Sequence, residues 1–185
     1  MPADRQLPWP LRKARVHEVF GPGARAFAAV FSAAARGDVL WLRESWHGEM
    51  INPGGLCRFL DVSRLLMGQV PTQADGLAVM EEALRDGVIP AVVLELTRPL
   101  DPKQGRRLQL AAKTGETTGL CLIPEGMGSN AAETRWHVAP FFDPQADSTP
   151  MRWEITKNKQ GTLGVWNVRW DDQTHRLHVV PPAGD

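Results

Sequence analysis

Five short apolar runs alternate with segments of helical period, and that alternation constrains the fold more than any other feature of this 185-residue chain. The runs are RVHEVFG (15–21), VLWLRE (39–44), RLLMGQV (64–70), AVVLEL (91–96) and GLCLI (119–123). AVVLEL is continuously apolar up to its acid, as a strand covered on both faces should be. Between the runs, Phe27, Val30, Phe31 and Ala34 fall at helical spacing before a Gly37-Asp38 stop. Leu56, Phe59 and Leu60 share one face of a short helix in PGGLCRFLD. Thr72 caps a longer helix whose Leu77, Met80, Ala83 and Leu84 form a stripe ending at Gly87. Asp101-Pro102 opens a further helix as a cap followed by an N1 proline. Strands and helices of these lengths imply right-handed crossovers and a parallel sheet.

After Pro124 the period changes. ETRWHVAP, MRWEITKNKQ, GVWNVRW and THRLHVV read as strands, with turns at QGTLG and DDQT. The expected fold is therefore α/β, a mostly parallel sheet continued by antiparallel C-terminal strands. It forms one domain over 15–182, preceded by a flexible, basic N-terminal arm over 1–14. Twenty-one basic and twenty-one acidic residues cancel, so no global field draws the chain to nucleic acid or membrane. No run is long enough to span a bilayer and the N-terminus has no signal-like apolar region, which points to the cytoplasm. Cys57 and Cys121 lack metal-site spacing and read as small, reduced core residues.

The turn after the first strand tests for nucleotide chemistry. A working phosphate loop, G-x-x-x-x-G-K-[ST], needs free backbone N–H groups, a lysine for charge and a hydroxyl for magnesium. Laid on GPGARAFA, that pattern keeps Gly21, followed by Pro22 and Gly23, but puts Ala26 at the second glycine. Phe27 stands at the lysine position and Ala28 at the Ser/Thr position. Arg25 lies nearby but does not replace the magnesium ligand. The stretch therefore reads as a structural turn. Glu95, ending AVVLEL, and Glu44, ending VLWLRE, occupy the places where such enzymes keep a magnesium-organising and a water-activating carboxylate. Without the lysine and hydroxyl they read as vestigial, solvated acids. No catalytic residue, metal or cofactor is expected, with weak nucleotide or phosphate binding at the helix N-terminus left open.

The order VHEVFGPGARAF, VLWLRE, LCRFLDVSRLL, MEEALRDG with its following strand, RRLQLAAKTGETTGL, TRWHVAP and MRWEITKNKQG resembles the RecA-like core. More closely it resembles the ImuA family, RecA/SulA-related accessory proteins of damage-induced mutagenesis, over about residues 15–180. The resemblance implies a RecA-like three-layer core without an intact phosphate loop. It also implies a non-catalytic adaptor in SOS-induced translesion synthesis. Its partners would be an ImuB-like Y-family polymerase homologue, RecA and an error-prone C-family polymerase. Lys157 and Lys159 in TKNKQG match a RecA-type segment that approaches nucleotide at a neighbouring protomer. With no competent loop, they read either as a solvated strand end or as a pair that would hold an acidic partner.

PEGMGSNAAETRWHV falls where RecA proteins grip single-stranded DNA, yet it has no Lys or Arg before Arg135. Direct DNA binding there is not expected. Candidate partner surfaces are the arm, with Trp9, Arg12 and Lys13, and the antiparallel tail, with Trp153, Trp166 and Trp170. The tail serves only if its outer face is uncovered, core packing being expected for at least two of the three. Self-association is left open. Competing functions are a residual nucleotide-binding NTPase of RecA fold and a SulA-like cell-division inhibitor.

Overall fold

The computed structural model describes residues 6–48, 51–141 and 150–180; Arg5 of the expected arm and the end of the expected domain lie outside that set. Six strands run parallel: β1 (Val16–Phe20), β2 (Val39–Glu44), β3 (Leu65–Val70), β4 (Ala91–Glu95), β5 (Thr118–Leu122) and β6 (Thr134–Pro140). From β6 the sheet continues antiparallel through β7 (Met151–Asn158), β8 (Gly164–Asp171) and β9 (Arg176–Val180). The nine strands lie in the order β3–β2–β4–β5–β1–β6–β7–β8–β9. The helices are α1 (Ala24–Ala34), α2 (Pro53–Leu56), α3 (Gln73–Asp86) and α4 (Pro102–Thr114). This is the expected RecA-like three-layer core with its antiparallel extension.

Strand alternation divides the core into two apolar layers. On β2, Val39 and Trp41 pack with α1, whereas Leu42 packs with Leu77, Met80 and Leu84 of α3 and Leu108 of α4. The cap chemistry acts as the residues demand. Thr72 accepts from the Asp75 N–H at 3.2 Å, and Gly87 closes α3 at φ +77°. Asp101 accepts from the Lys103 and Gln104 N–H groups while the Gln104 side chain accepts from the Asp101 N–H, a complete capping box. Two local expectations need correction. The α1 stripe ends before Ala34, which is exposed because the chain turns away at Ala35. Cys57, expected in the core, is exposed because α2 stops after one turn; Cys121 is fully buried. No helix among the described residues is long and apolar enough to cross a membrane.

Residues 6–14, read as part of a flexible arm, lie against the α1 face of the sheet. Leu11 is buried in the core, and the half-buried Trp9 meets Phe27 edge-on at 5.5 Å and Trp153 at 5.1 Å. Apolar area and ring geometry both favour this docking. Arg12 pairs with the buried Glu133 at 2.8 Å, and Arg15 approaches the same carboxylate at 3.6 Å. Beneath the segment sits His17, fully buried. Its Nε2–H donates to the Arg12 carbonyl at 2.9 Å, which leaves Nδ1 as the acceptor for the Thr134 hydroxyl at 2.7 Å. Trp136 Nε1–H in turn donates to that hydroxyl oxygen at 2.8 Å. This chain of bonds is the one a neutral imidazole makes.

Burial lowers the His17 pKa from 6.5 to about 4, against the raising effect of its bond to the Arg12 backbone. With the folded value below the unfolded one, this stabilisation is complete above about pH 6.5 and is lost as pH falls toward 4, a change of about 3 kcal/mol. Urea unfolding at pH 7 and at about pH 4.5 checks it. The unmodified protein should lose clearly more stability over that interval than His17→Gln, and equal losses would contradict the network.

Candidate functional site

The connection leaving β1 passes to one face of the sheet and that leaving β4 to the other, opening a crevice at the strands' C-terminal ends. Ligands of open α/β sheets bind at such switch points. Here the crevice has a volume of about 300 Å³ and is lined by Gly21, Arg25, His47, Glu95 and Ile123, among others. Its floor is the GPG turn, and the turn faces the protein. A Cβ on Gly21 would lie 2.5 Å from the Val138 carbonyl oxygen, and φ there is +99°. A Cβ on Gly23 would lie 2.5 Å from Val138 Cγ1. Both glycines thus let the turn press onto β6. The Gly23 N–H donates to the Val138 carbonyl at 2.9 Å, and the Ala24 N–H to the Gly21 carbonyl at 3.1 Å.

The side chains continue the pattern. Pro22 is exposed and Ala26 half-buried, while Phe27 and Ala28 are fully buried. Phe27 lies 4.4 Å from Trp153 and 5.4 Å from Trp136, ring centre to ring centre. Glu95 accepts from Trp41 Nε1–H at 3.0 Å and from Arg25 at 3.2 Å. Glu44 accepts from the Thr97 hydroxyl at 2.5 Å and pairs with Arg98 at 3.5 Å; the Thr97 bond leads the effects that hold its carboxyl below the usual range. Both acids are buried, contrary to their reading as solvated strand ends, because tryptophan and threonine donors replace water. Gln73 positions the Glu44 partners, accepting from the Thr97 and Arg98 N–H groups at 2.9 Å each. The crevice therefore brings Gly21, Pro22, Arg25 and Glu95 together, with Glu95 and the neighbouring Gly23 N–H already taken by protein partners.

The other expected site residues fall elsewhere. Trp153, Trp166 and Trp170 are all buried on the α1 face, so the tail does not present them as a docking platform. Trp170 Nε1–H donates to the Arg58 carbonyl at 2.9 Å, which ties β8 to the segment after α2. Lys157 and Lys159 both reach back to the loop before β6. Lys157 donates to the Asn130 carbonyl at 2.9 Å and to the Ala132 carbonyl, and Lys159 to the Ala131 carbonyl at 2.6 Å. Burial, with repulsion from Lys159 and Arg135, lowers the Lys157 pKa. The same loop is fixed from its other side: Glu18 accepts from the Ser129 N–H and from Arg135, both at 2.8 Å. Trp9 and Arg12 hold the N-terminal segment, and Lys13 is exposed beside them.

Sequence reasoning missed Trp46, 63% exposed and stacked on His47 at the mouth of the crevice. Its signal was a tryptophan in the polar stretch RESWHGE, just past a strand end. It also missed Arg43, buried with one acceptor, the His47 carbonyl, and with its Nε unpartnered among the described residues. No group of three or more potential metal-ligating side chains occurs among the described residues.

Placing phosphate-loop residues in this turn should fail for a packing reason. Phe27→Lys with Ala28→Thr buries an amine in the aromatic cluster and should cost about 3 kcal/mol or more. Thermal unfolding measures this, and a melting temperature equal to that of the unmodified chain would contradict the packing role of Phe27.

No family model matches the chain. It is 28% identical to Protein ImuA of Caulobacter vibrioides, strain NA1000 / CB15N, over a 191-residue alignment covering 88% of this chain and 77% of that protein. The match to Protein ImuA of Caulobacter vibrioides, strain ATCC 19089 / CIP 103742 / CB 15, has the same identity and coverage. A likeness spanning nearly the whole chain, on the α/β order described above, bears out the resemblance drawn from the sequence: the chain is similar to the ImuA proteins.

Proposed function

We propose that this chain is a non-catalytic adaptor of damage-induced mutagenesis, working by protein contacts on a RecA-like scaffold that has given up nucleotide chemistry. The partner it would bind is an ImuB-like Y-family polymerase homologue, with RecA and an error-prone C-family polymerase in the same assembly. The observation that carries the reading is the turn between β1 and α1. Its Gly23 N–H is spent on the Val138 carbonyl, Phe27 fills the core where a phosphate-binding lysine would stand, and Arg25 neutralises Glu95. Phosphoryl transfer needs positioned cations and magnesium around the phosphates, which these contacts do not supply. The likeness to proteins named ImuA supports the choice of biological system.

Two measurements test the proposal together. Calorimetry with magnesium and ATP should give no saturable heat, and no ADP should accumulate. Pull-down with the ImuB-like homologue from the same genome should recover a stoichiometric complex. Micromolar nucleotide binding with turnover would replace the adaptor by an NTPase. Failure to capture the homologue, with capture of the tubulin-like division protein instead, would favour the division-inhibitor reading.

A further inference from the structure

Helix α4 carries four cations and no acid in the sequence PKQGRRLQLAAKT, although the whole chain is charge-balanced. Arg107 pairs with Glu81 of α3 at 2.8 Å. Lys103, Arg106 and Lys113 are exposed and have no ion pair among the described residues. Positions 103, 106, 110 and 113 recur every three or four residues, so the three cations share one face with Leu110. Leu110 is 65% exposed, an apolar side chain standing in a row of positive charge. Single exposed leucines are ordinary. This one, however, borders a cavity of about 640 Å³ between α4 and residues 128–131, whose other apolar lining includes Leu100, Pro102 and Ala131.

The far wall of that cavity is built to stay in place. Gly105 lets the loop press against α4, since a Cβ there would come within 2.6 Å of Ser129 Oγ and 2.9 Å of Ala131 Cβ. Lys157 behind the wall, and Lys159, which itself lines the cavity, hold the carbonyls of residues 130–132, and Glu18 holds the Ser129 N–H. The lysines that sequence likeness assigned to a partner or to a nucleotide are buttresses of this wall. A preformed socket avoids the ordering cost that weakens flexible sites.

We infer that the α4 face is a docking site for a short acidic protein segment carrying one large apolar side chain. The apolar side chain enters the socket beside Leu110, and flanking carboxylates meet Lys103, Arg106 and Lys113. The cavity lies within the range of sites that hold a ligand of that size. Charge complementarity chooses an anionic occupant, and the apolar socket chooses peptide over nucleic acid. Single strands are held by stacking on aromatic rings, and among the described residues no aromatic side chain lines this cavity. The inference gives the adaptor reading a surface and rests on it only for the partner being a protein; peptide binding is measured apart from the pull-down, so either can fail alone.

Fluorescence anisotropy on the full chain tests it. The probes are a labelled peptide of about ten residues, all Asp and Glu except one central Phe, the same peptide with Ser for Phe, and an oligothymidylate of about twenty nucleotides. The Phe peptide should bind, the Ser peptide about five-fold more weakly, and the oligothymidylate more weakly still. Arg106→Glu should weaken the Phe peptide about ten-fold, Leu110→Ser should abolish the preference for Phe, and Arg36→Glu, on the opposite layer, should change neither. Melting temperatures of the variants establish that each is folded. Equal binding of both peptides, indifference to Arg106→Glu, or tighter binding of the oligothymidylate would each overturn the inference.

Discussion

Phe27 is the contact on which the α1 side of this molecule depends. Its ring is fully buried and meets Trp9, Trp136 and Trp153, which come from the N-terminal segment, β6 and β7. One side chain therefore joins the first crossover helix, the start of the antiparallel extension and the chain before β1. A lysine at that position would have to bring its charge into the same space, at a cost far above what a surface ion pair returns. The aromatic cluster around Phe27 thus fills the space that a lysine at this position would need.

The polar groups around the turn follow from it. Once the turn is drawn onto β6, the Gly23 N–H finds the Val138 carbonyl, and Glu95 at the end of β4 meets Arg25 and Trp41. Glu44 is taken up by Thr97 and Arg98. Buried acids need donors whether or not a metal organises them. An acid retained at a strand's C-terminal end is consequently compatible with a purely structural role, and sequence position alone does not separate the two.

Much of the fold was legible because local signals and the hydrophobic period agree. The Thr72 and Asp101 caps, the Gly87 stop and the apolar run 91–96 all mark elements the structure contains. What was not legible lies in long-range pairing. Nothing in TKNKQG announces that Lys157 and Lys159 bend back onto carbonyls about 27 residues earlier in the chain. Nothing in MPADRQLPWPLRKAR separates a solvated tail from one whose Leu11 enters the core and whose Arg12 meets Glu133. Trp153, Trp166 and Trp170 alternated as expected, but alternation leaves open what covers the face. Trp9, Phe27 and the segment after α2 cover it.

The GPG turn belongs either to the protein's own packing or to a ligand. Amide hydrogen exchange at Gly23 and through the first turn of α1, followed with and without magnesium and ATP, measures that directly. A packing turn predicts slow exchange at Gly23 in the free protein, with a rate that nucleotide leaves unchanged. Fast exchange in the free protein that slows when nucleotide is added would mean that the N–H groups await a phosphate, and would contradict the account.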